Sequence, residues 1–272
     1  MQFDLISDLH LDYWKHNIKD WRGLGTSLYC VVAGDVSRDV RLTSSFLHHL
    51  SNAYKQVIFI EGNHEHNKQY NDLTSKEIEL SNSLKNVPNI TYLAESSCVI
   101  DGTAFVGAMG WWTFDFPAID GSGHLAVMEE FCDREHFHMR DAINIWQTAQ
   151  EQAADLGEIV SSLQDADEIE EIVVVTHTVP RNDIVHHGIP GSLSEWGKIG
   201  NSSMKQVLAY DYENKISTWC FGHFHEIPYD IKMDGVRYVS HPRGKPKDAM
   251  SQVYYPKRID TVTDLVKSSN GR

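Results

Sequence analysis

The stretch Val57-Ile58-Phe59-Ile60-Glu61-Gly62-Asn63-His64-Glu65 decides how the chain is read. A short apolar run meets a glycine, and residues of metal-ligating type follow at once. A run of this length bounded by a turn signal fits a strand buried on both faces. The same succession occurs earlier, where residues 3–6 lead to Asp8-Leu9-His10 and residues 28–33 lead to Gly34-Asp35. It recurs later, where residues 172–176 end at His177 and Ile216–Phe221 runs into Gly222-His223-Phe224-His225. Between the second and third runs, Leu42, Phe46, Leu47, Leu50 and Ala53 share one helical face. Thr74-Ser75-Lys76-Glu77 reads as a capping box that opens a second helix with Ile78 and Leu84. Strands alternating with helices predict parallel βαβ units.

Further along, the pattern changes. Residues 89–93, 98–101 and 104–108 read as short strands, with Asp101-Gly102 as a hairpin turn. Residues 111–140 are aromatic, histidine-containing and irregular, which predicts a cap or lid loop inserted in the domain. A long amphipathic helix follows, with Ala142, Ile145, Trp146, Ala149, Ala153, Leu156, Ile159, Val160 and Leu163 on its apolar stripe. The acidic residues 165–171 read as a solvated connection, and 181–200 as a loop. A helix near residues 204–212 and a hairpin of residues 229–232 with Val236–Ser240, turning at Asp234-Gly235, complete the pattern. Residues 245–272 are poor in apolar side chains and read as a surface extension. With no repeat or linker in the sequence, residues 1–272 are read as one domain.

Composition narrows the function. Across 272 residues, 38 Asp+Glu outnumber 24 Lys+Arg, for a net charge of -14. Such acidity argues against broad duplex nucleic-acid binding, which needs clustered cations. No apolar run is long enough to span a bilayer, and nothing reads as a secretory signal. Four scattered cysteines without a CxxC pair suggest neither a disulfide framework nor a zinc finger, and the reduced cytoplasm is the expected location. Cys30 and Cys220 lie in apolar runs and are expected in the core.

All five donor-bearing segments fall just past the carboxyl end of an expected strand. Ligand sites in open α/β sheets form there, so residues distant in sequence can meet. In Asp8-x-His10 and His223-x-His225, alternate residues of an extended chain would face one ion. Gly34, Gly62 and Gly222 let the backbone turn tightly beside the site. The donors are Asp8, His10, Asp35, Asn63, His177, His223 and His225, which exceeds what one four-coordinate ion needs; two ions sharing Asp35 would use them all. Carboxylate, amide and imidazole donors suit Mn, Fe, Zn or Ni better than Mg.

The ordered set DLH, GD, GNHE, TH and GHFH, between Asp8 and His225, resembles the calcineurin-like metallophosphoesterase superfamily. Gly110-Trp111-Trp112-Thr113-Phe114-Asp115-Phe116 and His241-Pro242-Arg243-Gly244 are similar to a bacterial and phage branch of it. The resemblance implies an α/β (α+β) fold, a four-layer αββα sandwich of two mixed β-sheets flanked by helices. It also implies roles. Asp8, His10 and His225 would hold one metal and Asn63, His177 and His223 the other, with Asp35 between. A hydroxide shared by the two ions would attack phosphorus in line, because coordination lowers the pKa of water by many units. His64 would assist the leaving group, oriented by Glu65 or Asp35.

Two places depart from the family pattern. The run after Gly34 is Asp35-Val36-Ser37-Arg38, without the acidic or amide residue often found there, and His177 is followed by Thr178 rather than a second histidine. The substrate side is therefore read separately: Arg38, Trp112 and Arg243 are the candidate substrate-binding residues, Arg38 because a guanidinium fork matches phosphate oxygens. The expected substrate is a small phosphodiester or phosphomonoester, such as a nucleotide. A single-strand or end-directed nuclease would instead need a basic groove, for which Arg38, Arg181, Lys198, Arg243, Lys245 and Lys247 are the candidates. A non-catalytic metal-containing scaffold is the third reading, and the full ligand set with His64 argues against it. His66, His124, His136, His138, His186 and His187 are expected to be solvated. The sequence does not specify an oligomeric state.

Overall fold

The computed structural model describes residues 1–15, 25–116, 123–185, 192–226, 228–248 and 254–261. Its first sheet is built from β1 (Gln2–Ile6), β2 (Tyr29–Ala33), β3 (Gln56–Ile60) and β4 (Ile90–Tyr92), all parallel, with β11 (Lys257–Asp260) antiparallel on the edge, in the order β11-β1-β2-β3-β4. The second sheet runs β5-β6-β7-β8-β10-β9. Here β6 (Thr103–Ala108), β7 (Glu171–Thr176), β8 (Ile216–Phe221) and β10 (Val236–Ser240) are parallel, and β5 (Ser96–Ile100) and β9 (Asp230–Met233) are antiparallel edges.

Side-chain alternation along each strand sorts the apolar residues into layers. Phe3, Leu5, Val31, Ile58 and Ile60 of the first sheet meet Phe105, Val173, Val175, Cys220 and Val239 of the second. The opposite face of the first sheet, with Ile6, Cys30, Val32, Val57 and Phe59, is covered by α1 (Val40–Ser51) and α2 (Leu73–Leu84) through Phe46, Leu47, Leu50, Leu80 and Leu84. The outer face of the second, with Val106, Ile172, Val174 and Trp219, is covered by α4 (Met139–Gln164) and the 3-10 helix Ser202–Tyr210. The result is the expected four-layer sandwich. Strand β7 is buried along its whole length, as a central parallel strand must be. The Asp101-Gly102 and Asp234-Gly235 turns take positive φ at both residues, the geometry that matches a hairpin's twist.

Several expectations change. Helix α2 is capped by Asp72, whose carboxylate accepts from the Ser75 N–H, so the chain turns earlier than the Thr74 capping box implied. In the described part of the expected insertion, the first residues are buried and a helix follows. Trp111, Trp112, Phe114 and Phe116 are buried, and Phe131 of α3 (His124–Glu135) packs against Trp112 and Phe114. Large rings remove enough apolar surface from water to need no periodic pattern. Part of the expected surface extension joins the sheet: β11 pairs with β1, Ile259 is fully buried, and the Tyr254 hydroxyl accepts from the Ser7 N–H. His66 is buried against Glu61, with Nε2 3.0 Å from Oε1, and is not solvated. Cys30 and Cys220 are core residues as expected. Among the described residues no helix is long and apolar enough to cross a membrane. His186 and His187 lie outside the described residues.

Candidate metal centre

The carboxyl ends of β1, β2, β3, β7 and β8 open at one end of the sandwich, and hydrogen bonds between their loops fix the spacing. Asp8 N–H donates to the Gly34 carbonyl and His10 N–H to that of Asp35, both at 3.0 Å. The sheets are joined here as well. His223 N–H donates to the Asp8 carboxylate at 3.0 Å; within the second sheet, Gly222 N–H donates to the His177 carbonyl at 2.8 Å. Behind the loops, the buried Glu65 carboxylate accepts from the N–H groups of Asp35, Val36, Ser37 and Gly62. Glu65 therefore fixes two ligand loops and does not orient His64.

The backbone departs from the extended geometry expected for the ligand pairs. Asp8, His10, Asp35 and His223 all take left-handed φ, between 46° and 66°. Non-glycine residues adopt this region at a cost, and clusters of them mark sites where the fold holds side chains against strain. Turns, not strand alternation, bring Asp8 and His10 together. Two glycines are required by close approach: Gly34 has φ +82°, and a Cβ at Gly222 would collide with the Asp8 carboxylate.

The donor atoms converge. His225 Nε2 lies 3.1 Å from Asp8 Oδ1 and 3.0 Å from His10 Nε2. His177 Nε2 lies 3.4 Å from Asp35 Oδ1, 3.3 Å from Asn63 Oδ1 and 3.2 Å from His223 Nδ1. Asp35 Oδ2 is 3.7 Å from His10 Nε2 and 3.9 Å from His64 Nε2. Asp8/His10/His225, His10/Asp35/His64 and Asp35/His177/His223 each place three ligand atoms within 4.8 Å of one another. Asp35 stands in two of these groups, which suits a residue shared between ions.

The remaining ring nitrogens fix the tautomers. His177 Nδ1 donates to the Ala33 carbonyl at 2.9 Å and His223 Nε2 to the Lys198 carbonyl at 2.8 Å, leaving His177 Nε2 and His223 Nδ1 facing the cluster. His225 Nδ1 lies 2.8 Å from Asp248 Oδ2, a partner that carries no sequence motif.

Electrostatics ask for a cation at this point. Burial lowers His10 well below the usual imidazole range. Burial and the His177 charge press His223 down to about 3. Burial opposes charge on His177 as well, yet the adjacent Asp35 carboxylate raises it to about 9. Burial would raise Asp8, but its hydrogen bond to His225 and the neighbouring imidazolium charges hold it at about 2. The two buried carboxylates thus favour positive charge on His177 and His225, while burial disfavours it on His10 and His223. Carboxylate, imidazole and amide donors without thiolates fit borderline divalent ions.

The centre opens into a cleft of about 670 Å³. His64 lines it with a 15% exposed side chain, its ring edge-on to His10 at 4.4 Å. Burial lowers its pKa, with the Lys245 and Arg38 charges pressing the same way and Asp35 opposing. Arg38 and Lys245 both stand on the Tyr13 ring, 4.6 and 5.3 Å from its centroid, and Arg38 also meets Asp12 at 3.3 Å. On the opposite wall, Glu135 bridges Lys68 at 2.7 Å and Lys198 at 3.0 Å. Trp112 is buried at the base of the cleft, stacked on His223 at 5.9 Å. Arg243 is not among the residues lining the cleft. Its guanidinium lies 3.8 Å over the Trp14 ring. Arg181 likewise pairs with Asp183 and Asp234 outside the cleft. Sequence reasoning missed Asp248 and Tyr13, neither of which belongs to a motif.

Comparisons with known proteins agree with this architecture. The family model for calcineurin-like phosphoesterase matches residues 1–227. No curated protein sequence matches the chain significantly. Among solved structures, a phosphopantetheinyl hydrolase from Mycobacterium tuberculosis is similar over 95% of each chain, with TM-score 0.68 and 17% identity. A dimetal phosphatase from Danio rerio covers 88% of this chain and 86% of its own, with TM-score 0.49 and 13% identity.

Proposed function

The chain belongs to the calcineurin-like phosphoesterase family and is a phosphoester hydrolase, and from that premise we propose a two-ion centre that cleaves a small phosphodiester or phosphomonoester, nucleotides included. Asp8, His10 and His225 would hold one ion and Asn63, His177 and His223 the other, with Asp35 between them. The observation that carries this reading is the meeting of His177 Nε2 with Asp35, Asn63 and His223 within 3.4 Å, beside a second group made of Asp8, His10 and His225. Two ions bound there would lower the pKa of water toward roughly 7 and would withdraw charge from the phosphoryl oxygens. The donor set favours Mn, Fe, Zn or Ni over Mg.

The chain supplies the rest. His64 donates an N–H to the departing oxygen, for which it is placed at the cleft wall beside Asp35; a neutral imidazole retains one donor nitrogen. Arg38 and Lys245, steadied by Tyr13, offer cations to the phosphoryl oxygens next to His64. We assign Trp112 to holding His223, since its buried ring leaves no open face for a base. Arg38 is countered by Asp12, and Lys68 and Lys198 by Glu135, which favours a small substrate over a strand-binding groove. All four cysteines are free, in keeping with a cytoplasmic location.

Metal-free protein reconstituted with Mn, Ni, Zn or Mg tests this on bis-p-nitrophenyl phosphate and p-nitrophenyl phosphate. A phosphopantetheinyl ester belongs in the panel, because the similar Mycobacterium tuberculosis protein is a hydrolase of that name. Turnover with a transition ion is the expected result. Protein shown to hold two ions that turns over no substrate would instead be the scaffold.

A further inference from the structure

Three histidines of the centre have their second ring nitrogen tied, and they are tied differently. His177 and His223 donate to main-chain carbonyls, of Ala33 and Lys198. His225 reaches a side chain, Asp248, at 2.8 Å, and Asp248 lies beyond the 1–227 stretch that matches the family. We propose that Asp248 is a positioning residue for His225: it holds the ring with Nδ1–H turned outward and Nε2 turned toward Asp8 and His10. The proposal rests on the two-ion reading of the centre.

The segment carrying Asp248 is built for that contact. On leaving β10 it is stitched to the loop that carries Asp8. Pro242 bridges to Ser7, Arg243 N–H donates to the Ser7 carbonyl at 3.0 Å, and Gly244 N–H donates to the Asp8 carbonyl at 2.9 Å. The chain then turns back. Gly244 takes φ +80°, and a Cβ there would lie 2.8 Å from Asp248 Oδ2, so a side chain at this position would displace the carboxylate. Lys245 N–H donates to the same oxygen at 2.6 Å. Asp8 and Asp248 therefore reach opposite nitrogens of His225 from two loops that are hydrogen-bonded to each other. The His225 and Asp248 side chains are 16% and 20% exposed, which leaves the pair partly shielded from competing water. A carboxylate behind a ligating imidazole fixes its tautomer and raises its basicity.

A purely structural staple would loosen the whole loop cluster, whereas a positioning residue acts on one ion. The test is Mn titration of the metal-free full chain by calorimetry, for wild type, Asp248→Ala and Asp248→Asn. The expected result is two sites in wild type and, in Asp248→Ala, one site weakened about 10- to 100-fold with the other unchanged. Asp248→Asn, whose amide oxygen still accepts from Nδ1–H, recovers part of the loss. Two undisturbed sites in Asp248→Ala, or equal weakening of both, overturn the proposal and leave the two-ion centre standing. A wild-type chain that binds no ion overturns both. Should Asp248→Ala fail to fold, Asp248→Asn decides: an unchanged titration contradicts the proposal.

Discussion

At the floor of the cleft Asp8, His10 and His177 are fully buried, while at its rim Tyr13, Arg38 and Lys68 stand 38%, 37% and 61% exposed. On the floor the ligand loops are tied by main-chain hydrogen bonds, Asp8, His10, Asp35 and His223 sit in left-handed turns, and the Glu65 carboxylate holds two of the loops. Around the rim the cations are held by an aromatic ring or a single ion pair. Low dielectric makes the floor's charges strong and costly to misplace, whereas water screens the rim. On the proposed reading, chemistry falls to the floor and substrate choice to the rim.

Between the two stands His64, and its removal gives the largest effect after loss of the metals themselves. His64→Ala is expected to keep both ions and to lose about 10²- to 10⁴-fold in kcat on a substrate with a poor leaving group. Full activity there, with metal content unchanged, would remove its role. Next come the rim cations. Arg38→Ala or Lys245→Ala should raise KM roughly 10- to 100-fold, the worth of a charged hydrogen bond, with kcat changed only a few fold. An unchanged KM on every substrate that turns over would place both residues outside recognition.

The smallest effect belongs to the far wall. Lys68 and Lys198 offset the burial of Glu135 and depress it to about 2. A depressed carboxyl adds stability above its ordinary pKa and loses it as pH falls toward the folded value. Glu135→Gln should thus lower Tm by about 1–3 °C at pH 7, as befits an exposed pair. That difference should shrink as pH falls from about 4.5 toward 2. Melting curves that differ equally at every pH would show that the charge is not the cause.

What the sequence reveals follows the same division. Central strands such as β7 are unbroken apolar runs, and the donors sit immediately after them, so floor and fold are read together. Backbone conformation is not written there: Asp8 and His10 meet through left-handed turns that the Asp-x-His spacing does not display. Strand β11 is Lys-Arg-Ile-Asp, with Ile259 as its one core residue, too short and charged to announce a strand. Asp248 is one acid among 38 Asp+Glu, and only the fold brings it to His225. His66 is buried because Glu61 receives it, a partner that residue type alone cannot assign.

The central claim is that two ions share Asp35, and metal stoichiometry tests it most directly. Elemental analysis after equilibration at one fixed free Mn concentration should find two ions per wild-type chain and neither retained by Asp35→Ala. A wild-type chain holding one ion or none, or an Asp35→Ala chain still holding two, would contradict the account.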